Sequence, residues 1–137
     1  MAKRAILAAA ALAAATATTS AEEFVQGVYL QSAELCEQAK KETLQAVIEG
    51  GNILLTSKGL ESIEYNCEFL QVTKATRAPA WLVHAICQEP GYVFPDVMSV
   101  TQMSPTQIDV VSIYGASDEA TPTNTASYEL CEGVAAP

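Results

Sequence analysis

Residues 62–69 carry the most regular alternation in the chain. Ile63, Tyr65, Cys67 and Phe69 fall on one side; Ser62, Glu64, Asn66 and Glu68 fall on the other. A repeat of two places successive side chains on opposite faces of a strand, so the acids mark a wet face and the rings a buried one. Residues 80–88 repeat the pattern, with Trp81, Val83, Ala85 and Cys87 together and His84 out of phase. Glu89-Pro90-Gly91 ends that strand. Residues 93–103 and 107–114 predict a hairpin about Ser104-Pro105-Thr106. Pro95 confines the first of these to an edge or a late start, because proline lacks a ladder N–H.

Earlier in the chain, residues 24–30 (with Phe24, Val25, Val28, Tyr29 and Leu30) predict an opening strand. Ser32 is placed to cap a helix over residues 33–48, rich in good helix formers and stopped by Gly50-Gly51. Leu35, Ala39 and Ala46 lie near one face of it, while residues 43–48 also read as extended. Residues 53–56 form a β-type run before a Ser57-Lys58-Gly59 turn, residues 73–79 a connection, and residues 126–131 a last strand before a short tail. Residues 115–125 are polar and predict a surface loop. Many short strands with turns between them predict a mainly β (α+β) domain: a small twisted antiparallel sheet or a partly closed barrel, with one N-terminal helix packed on it.

The N-terminus changes the picture. Lys3 and Arg4 precede an apolar run over residues 5–15, and a polar stretch then ends in Thr19-Ser20-Ala21. That is the layout of a signal peptide over residues 1–21, cut near Ala21, which leaves a single domain over residues 22–137 in the periplasm or outside the cell. The run is shorter than the ~20 residues a bilayer span needs. No membrane span is expected elsewhere. The whole chain has 7 basic and 16 acidic residues, a net charge of −9. Loss of Lys3 and Arg4 leaves 5 basic against 16 acidic, or −11. Such a chain repels nucleic acid, because contacts to phosphate are made by Lys and Arg. The acids are spread along the chain, so solubility explains them first and attraction to a basic partner second.

Cys36, Cys67, Cys87 and Cys131 all follow the expected cut. None forms a Cys-x-x-Cys pair, which argues against a redox motif or a zinc ribbon and for structural bridges in an oxidising compartment. Four cysteines allow three pairings. An antiparallel hairpin of residues 62–70 with 81–88, in the register that sets Cys67 opposite Cys87, also sets Phe69 opposite Ala85 and turns both thiols to one core. That register favours Cys67–Cys87 and leaves Cys36–Cys131 to join the start of the domain to its end.

The order Gly27-Val28-Tyr29, Cys36, Gly59-Leu60, Glu64-Tyr65-Asn66-Cys67-Glu68-Phe69, Trp81, Cys87 and Tyr128-Glu129-Leu130-Cys131 resembles a group of small exported four-cysteine proteins of α-proteobacteria. The resemblance covers nearly the whole mature chain; it departs at Tyr29, where a Trp is common. It implies an exported domain with nested bridges, first to last and second to third. It implies no activity.

Catalytic patterns are absent from the sequence. His84 is the single histidine, and it sits out of phase with the core. Ser62, Ser99 and Ser112 lack a Gly-x-Ser-x-Gly elbow. Glu64 and Glu68 fall on a wet face rather than forming a paired acid and base. Asp96, Asp109, Asp118 and Glu119 do not have calcium-loop spacing, and neither a metal nor a cofactor is expected. Most of the rings among Tyr65, Phe69, Trp81, Tyr92, Phe94 and Tyr114 are needed to fill a small core. Tyr92 and Phe94 follow a turn in an expected loop, so they, with Asp118 and Glu119, are the candidate contact residues. The expectation is a non-enzymatic acidic domain that binds a protein or cell-wall component. An inhibitor of a basic secreted hydrolase such as lysozyme is the first alternative, and a small hydrolase the second. Neither the ligand nor the oligomeric state is written in the pattern.

Overall fold

The computed structural model describes residues 24–114 and 124–137. The expected signal peptide and its cut near Ala21, and the contact candidates Asp118 and Glu119, lie outside the described residues. Eight strands follow one another in a closed antiparallel barrel: β1 (Tyr29–Leu30), β2 (Leu54–Thr56), β3 (Gly59–Glu61), β4 (Asn66–Lys74), β5 (Ala80–Glu89), β6 (Tyr92–Ser104), β7 (Gln107–Ser112) and β8 (Thr125–Leu130). Every strand pairs with its sequence neighbour. The ring closes where β1 meets β8, at Tyr29 opposite Leu130 and Leu30 opposite Glu129. The expectation of a partly closed barrel is thus corrected to a fully closed one. Cys131 N–H bonding to the Val28 carbonyl at 2.8 Å extends that seam.

Two helices, not the single one expected, lie between β1 and β2: α1 (Ala33–Lys41) and α2 (Leu44–Glu49). Ser32 caps α1 by accepting from Leu35 N–H. The run breaks at Glu42, whose backbone leaves helical geometry, and Thr43 starts a second helix by accepting from Ala46 N–H at 3.0 Å. Threonine offers the backbone a side-chain acceptor that competes with the helix ladder, which is why a good helical sequence splits there. Residues 43–48, read both ways from sequence, are therefore mostly helical.

The long alternation begins later than its pattern. Residues 62–65 form the β3–β4 turn and Ile63 is exposed; the inward phase starts at Tyr65 and Cys67. β3, read as part of a turn, is a strand because Gly59 opens it. A Cβ at Gly59 would collide with the Cys67 carbonyl oxygen, so only glycine lets β3 close on β4 here. Residues 92–95, expected as a loop, are paired strand. Pro90 and Gly91 make the turn, with Gly91 at φ +94°, and pairing resumes at once with Glu89 opposite Tyr92. Pro95 sits where β7 does not reach, since the β6–β7 ladder ends at Met98 and Ser112. That stretch of β6 is an edge, as the missing N–H requires.

Two buried clusters result. The barrel interior holds Tyr29, Leu55, Leu60, Trp81, Val83, Met98, Val100, Ile108, Val110 and Tyr128. A second cluster, with Val28, Leu30, Ala39, Val47, Ile48 and Leu54, joins the helices to the outer side of the seam. Phe24 seals one end of the barrel, edge-on to Phe69 at 5.8 Å and to Trp81 at 5.6 Å. The disulfides are Cys36–Cys131 and Cys67–Cys87, and the latter pair stand directly opposite on β4 and β5, in the register derived from the alternation. Two bridges suit an oxidising compartment. No helix among the described residues is long and apolar enough to cross a membrane.

The bridges enclose 95 and 20 residues. Chain entropy credits the longer with about 4.7 kcal/mol and the shorter with about 3 kcal/mol. Replacing both Cys36 and Cys131 by alanine is therefore expected to lower the urea midpoint more than replacing both Cys67 and Cys87. Equal or reversed losses would show that the seam does not depend on its bridge.

Candidate binding site at one end of the barrel

The meander puts the turns β3–β4 and β5–β6 and the start of β8 at the same end of the barrel. β6 enters that end with Tyr92, Phe94, Asp96 and Met98 on its inner phase. Phe94 lies opposite Cys87 and is buried. That corrects its role as an exposed contact, because the inward phase of a paired strand turns it into the core. Tyr92, beyond the last inward layer, stays 47% exposed.

Tyr114 folds over this end. Its ring stacks on Phe94 at 3.9 Å, and its hydroxyl meets that of Tyr92 at 2.6 Å. Tyr92 in turn packs on Phe94 at 5.1 Å. Three rings from two strand ends thus form one unit with two hydroxyls outermost. Their sequence neighbours Val93 and Ile113 are exposed. The bond to Tyr114, followed by burial and the nearby Glu89, pushes the Tyr92 phenol up to about 12.

Asp96 holds the arrangement from beneath. It is 3% exposed. Its Oδ1 accepts from Val97 N–H at 2.7 Å and from Tyr114 N–H at 3.0 Å, and its Oδ2 accepts from Ser112 Oγ at 2.5 Å. A buried carboxylate persists only when donors replace the water it lost. Here one donor is the next residue of β6, and the other two, Ser112 and Tyr114, come from the end of β7 and just beyond it, so the cost of burying Asp96 is offset in full with Tyr114 in place. Sequence reading weighed Asp96 only as a calcium ligand and missed this role. The signal was available, since it is the single acid in the inward phase of a strand between Phe94 and Met98.

Tyr65 closes the inner wall. Its hydroxyl lies 2.9 Å from Cys67 Sγ and donates to that bridged sulfur, with Cys87 Sγ at 3.9 Å. Burial, then the charges of Asp96 and Glu89, push its phenol up to about 12. Burial likewise raises Tyr128, and Tyr29 despite a bond to Gln102.

Other expected features lie elsewhere. His84 is exposed on the outer face of β5, with Gln71 and Val97 as ladder neighbours. Glu64 and Glu68 are exposed as expected. Among the described residues no group of three or more His, Cys, Asp or Glu side chains is placed to hold a metal. A surface groove of about 570 Å³ runs past Gln26, Lys58, Glu61, Glu68 and Pro137. Its charges are of both signs, and no ring cluster lines it.

No family model, no curated protein and no solved structure matches this chain.

Two predictions follow from the phenols. Tyr114→Phe removes the first cause of the Tyr92 shift, so the Tyr92 titration, followed by ultraviolet absorbance, is expected to fall back toward the ordinary value of 10.0. An unchanged titration would break the pairing of the two hydroxyls. Tyr29, Tyr65 and Tyr128 hold their protons longer folded than unfolded. Below pH 10 both states carry the proton and stability is at its full value; as pH rises from 10 through 12 the unfolded chain releases it first and stability falls. Denaturant midpoints at pH 8 and pH 11 are expected to show that fall, and Tyr65→Phe to make it shallower.

Proposed function

We propose that this chain is an exported, non-enzymatic binding domain that engages a protein or cell-wall partner through the Tyr92–Tyr114 end of its barrel. The observation that carries the reading is the exposed tyrosine pair itself. Two phenols share a hydroxyl contact over a stacked Phe94, on a backbone tied down by buried Asp96. Tyrosine supplies large contact area with little rotamer entropy to lose, and pre-ordered aromatic anchors dominate binding energy at interfaces. Val93 and Ile113, exposed next to the pair in sequence, add apolar surface near that end of the barrel. Asp118 and Glu119 belong to the same proposal as acidic neighbours in sequence.

The net charge of −9 favours a basic partner, because opposite charge speeds encounter and rejects acidic competitors. A basic secreted hydrolase such as lysozyme is the narrower form of the reading. Against the hydrolase alternative, the residues directly opposite the exposed His84 are Gln71 and Val97, neither a nucleophile nor an acid.

The test compares wild type with the Tyr92→Ser/Tyr114→Ser double variant, after matching their thermal melts. Both are immobilised and offered periplasmic extract, purified peptidoglycan and a basic lysozyme. The reading expects at least one of these to be retained by wild type and weakened about tenfold or more in the variant, as for the loss of two aromatic anchors. Equal retention by the two proteins, or retention by neither, would overturn it. Inhibition of the lysozyme by wild type alone would single out the narrower form.

A further inference from the structure

The turn between β4 and β5 differs in charge from the rest of the molecule. The chain carries 16 acidic residues, yet none falls between Phe69 and Gln88. Residues 70–79 are all exposed, and Arg77 stands at the centre of the turn, which spans residues 75–79. It is the one arginine among the described residues. Among those residues it has neither an ion pair nor a side-chain hydrogen bond; the one ion pair there, Lys40–Glu37, lies on α1.

The turn is held from both sides. Lys74 stands opposite Trp81 in the ladder, and Ala75 N–H donates to the Ala80 carbonyl at 2.8 Å. Pro79 has a fixed φ, and its carbonyl accepts from Gln102 N–H on β6 at 2.8 Å. Farther back, Cys67–Cys87 bridges the two arms, so the whole hairpin lies inside one covalent loop. A segment held in this way has little conformational freedom left to lose on docking. Ala75, Thr76 and Ala78 are small, so the guanidinium reaches farthest from the backbone. Leu70, Val72 and Leu82 are exposed on the arms and give the same hairpin apolar contact area.

A guanidinium without a partner pairs best with a carboxylate or a phosphate, through two parallel N–H···O bonds. Numbers decide against a lipid surface. Sequences that recognise anionic lipid gather ~4–8 cations, each contributing about 1 kcal/mol. This end of the barrel offers Lys74, Arg77 and Lys58, whose carbonyl accepts from Phe69 N–H, on a chain of net charge −9. A pocket floored by one carboxylate needs only one guanidinium, and arginine is among the residues that dominate binding once desolvated. Proteases of the trypsin type carry such a pocket, where those of the chymotrypsin type have an apolar slot.

We propose that the β4–β5 turn is an inhibitory loop that inserts Arg77 into the carboxylate-floored specificity pocket of a trypsin-type protease. The loop lies at the opposite end of the barrel from Tyr92 and Tyr114, and it does not depend on that surface binding anything. Should the protease cut the Arg77–Ala78 amide, water adds across it, leaving a carboxylate on Arg77 and an amine on Ala78. The ladder and the Cys67–Cys87 bridge keep both new ends in one molecule, so the cut loop is not released as a free product.

The experiment adds the oxidised domain to trypsin and follows hydrolysis of a small chromogenic arginine substrate. Wild type is expected to inhibit, and Arg77→Ala to inhibit about thirtyfold or more weakly, as for the loss of one anchor residue. Matched thermal melts confirm that Arg77→Ala keeps the fold. Chymotrypsin is expected to be unaffected by either protein. Tyr92→Ser/Tyr114→Ser is expected to inhibit trypsin as wild type does, which separates this loop from the proposed partner surface. The proposal is overturned if wild type leaves trypsin active, if Arg77→Ala inhibits equally, or if chymotrypsin is inhibited as well. Rapid cleavage after Arg77 with full return of trypsin activity would make the turn a substrate and overturn it too. So would Arg77-dependent retention on anionic phospholipid vesicles without inhibition, which would assign the turn to a lipid surface.

Discussion

Closure of the barrel rests on the shortest strand in it. β1 contributes two residues, and on them hang both the β1–β2 and the β1–β8 ladders. So few backbone hydrogen bonds would not hold a ring of this size shut by themselves. Two further interactions act at the same place. Leu30, Val47, Ile48 and Leu54 bury together under the two short helices, and Cys36–Cys131 ties the first helix to the residue just past β8. At about 1.5–3 kcal/mol for each fully buried large apolar side chain, the packing contributes at least as much as the ladder does. The helices are thus clasps for the seam rather than decorations on the sheet.

The aromatic end depends on that closure. With β8 held to β1, Thr125–Leu130 lines up beside Gln107–Ser112, and Tyr114 lies over the barrel mouth on Phe94. Asp96 then finds Ser112 and the Tyr114 N–H. Opening the seam would release β8, and the donors that make a buried carboxylate tolerable would be less well fixed. Stability of the seam and rigidity of the tyrosine pair are linked through one acidic side chain.

Where a segment was long enough to show a period, the sequence was legible. The repeat of two in residues 65–69 and 81–87 fixed faces, register and the Cys67–Cys87 bridge, because one apolar face must stay inside and a one-residue slip would invert it. β1 and β3, at two and three residues, are too short to display a period, so neither the closing strand nor the closed ring could be read. The split at Thr43 was hidden because threonine is only mildly unfavourable in a helix, and its capping bond needs the three-dimensional turn to exist. Of the candidate site, Tyr92 was visible, and Phe94 was misplaced because a turn dipeptide was read as a longer loop. Tyr114 was noted only as a ring, and its partnership with Tyr92 lies 22 residues away in sequence.

The order of the strands also shapes how the chain can reach this state. Each contact in the stretch from β4 to β7 joins sequence neighbours through a short connection, so that meander pays little loop-closure entropy and can assemble locally. The β1–β8 contact is different, since it waits on roughly a hundred intervening residues. The sulfurs near the middle can therefore meet early, on a half-built sheet, whereas Cys36 reaches its native partner only once the final strand has docked. For a nascent chain, the outermost crosslink is a completion mark that only a correctly wound ring can receive.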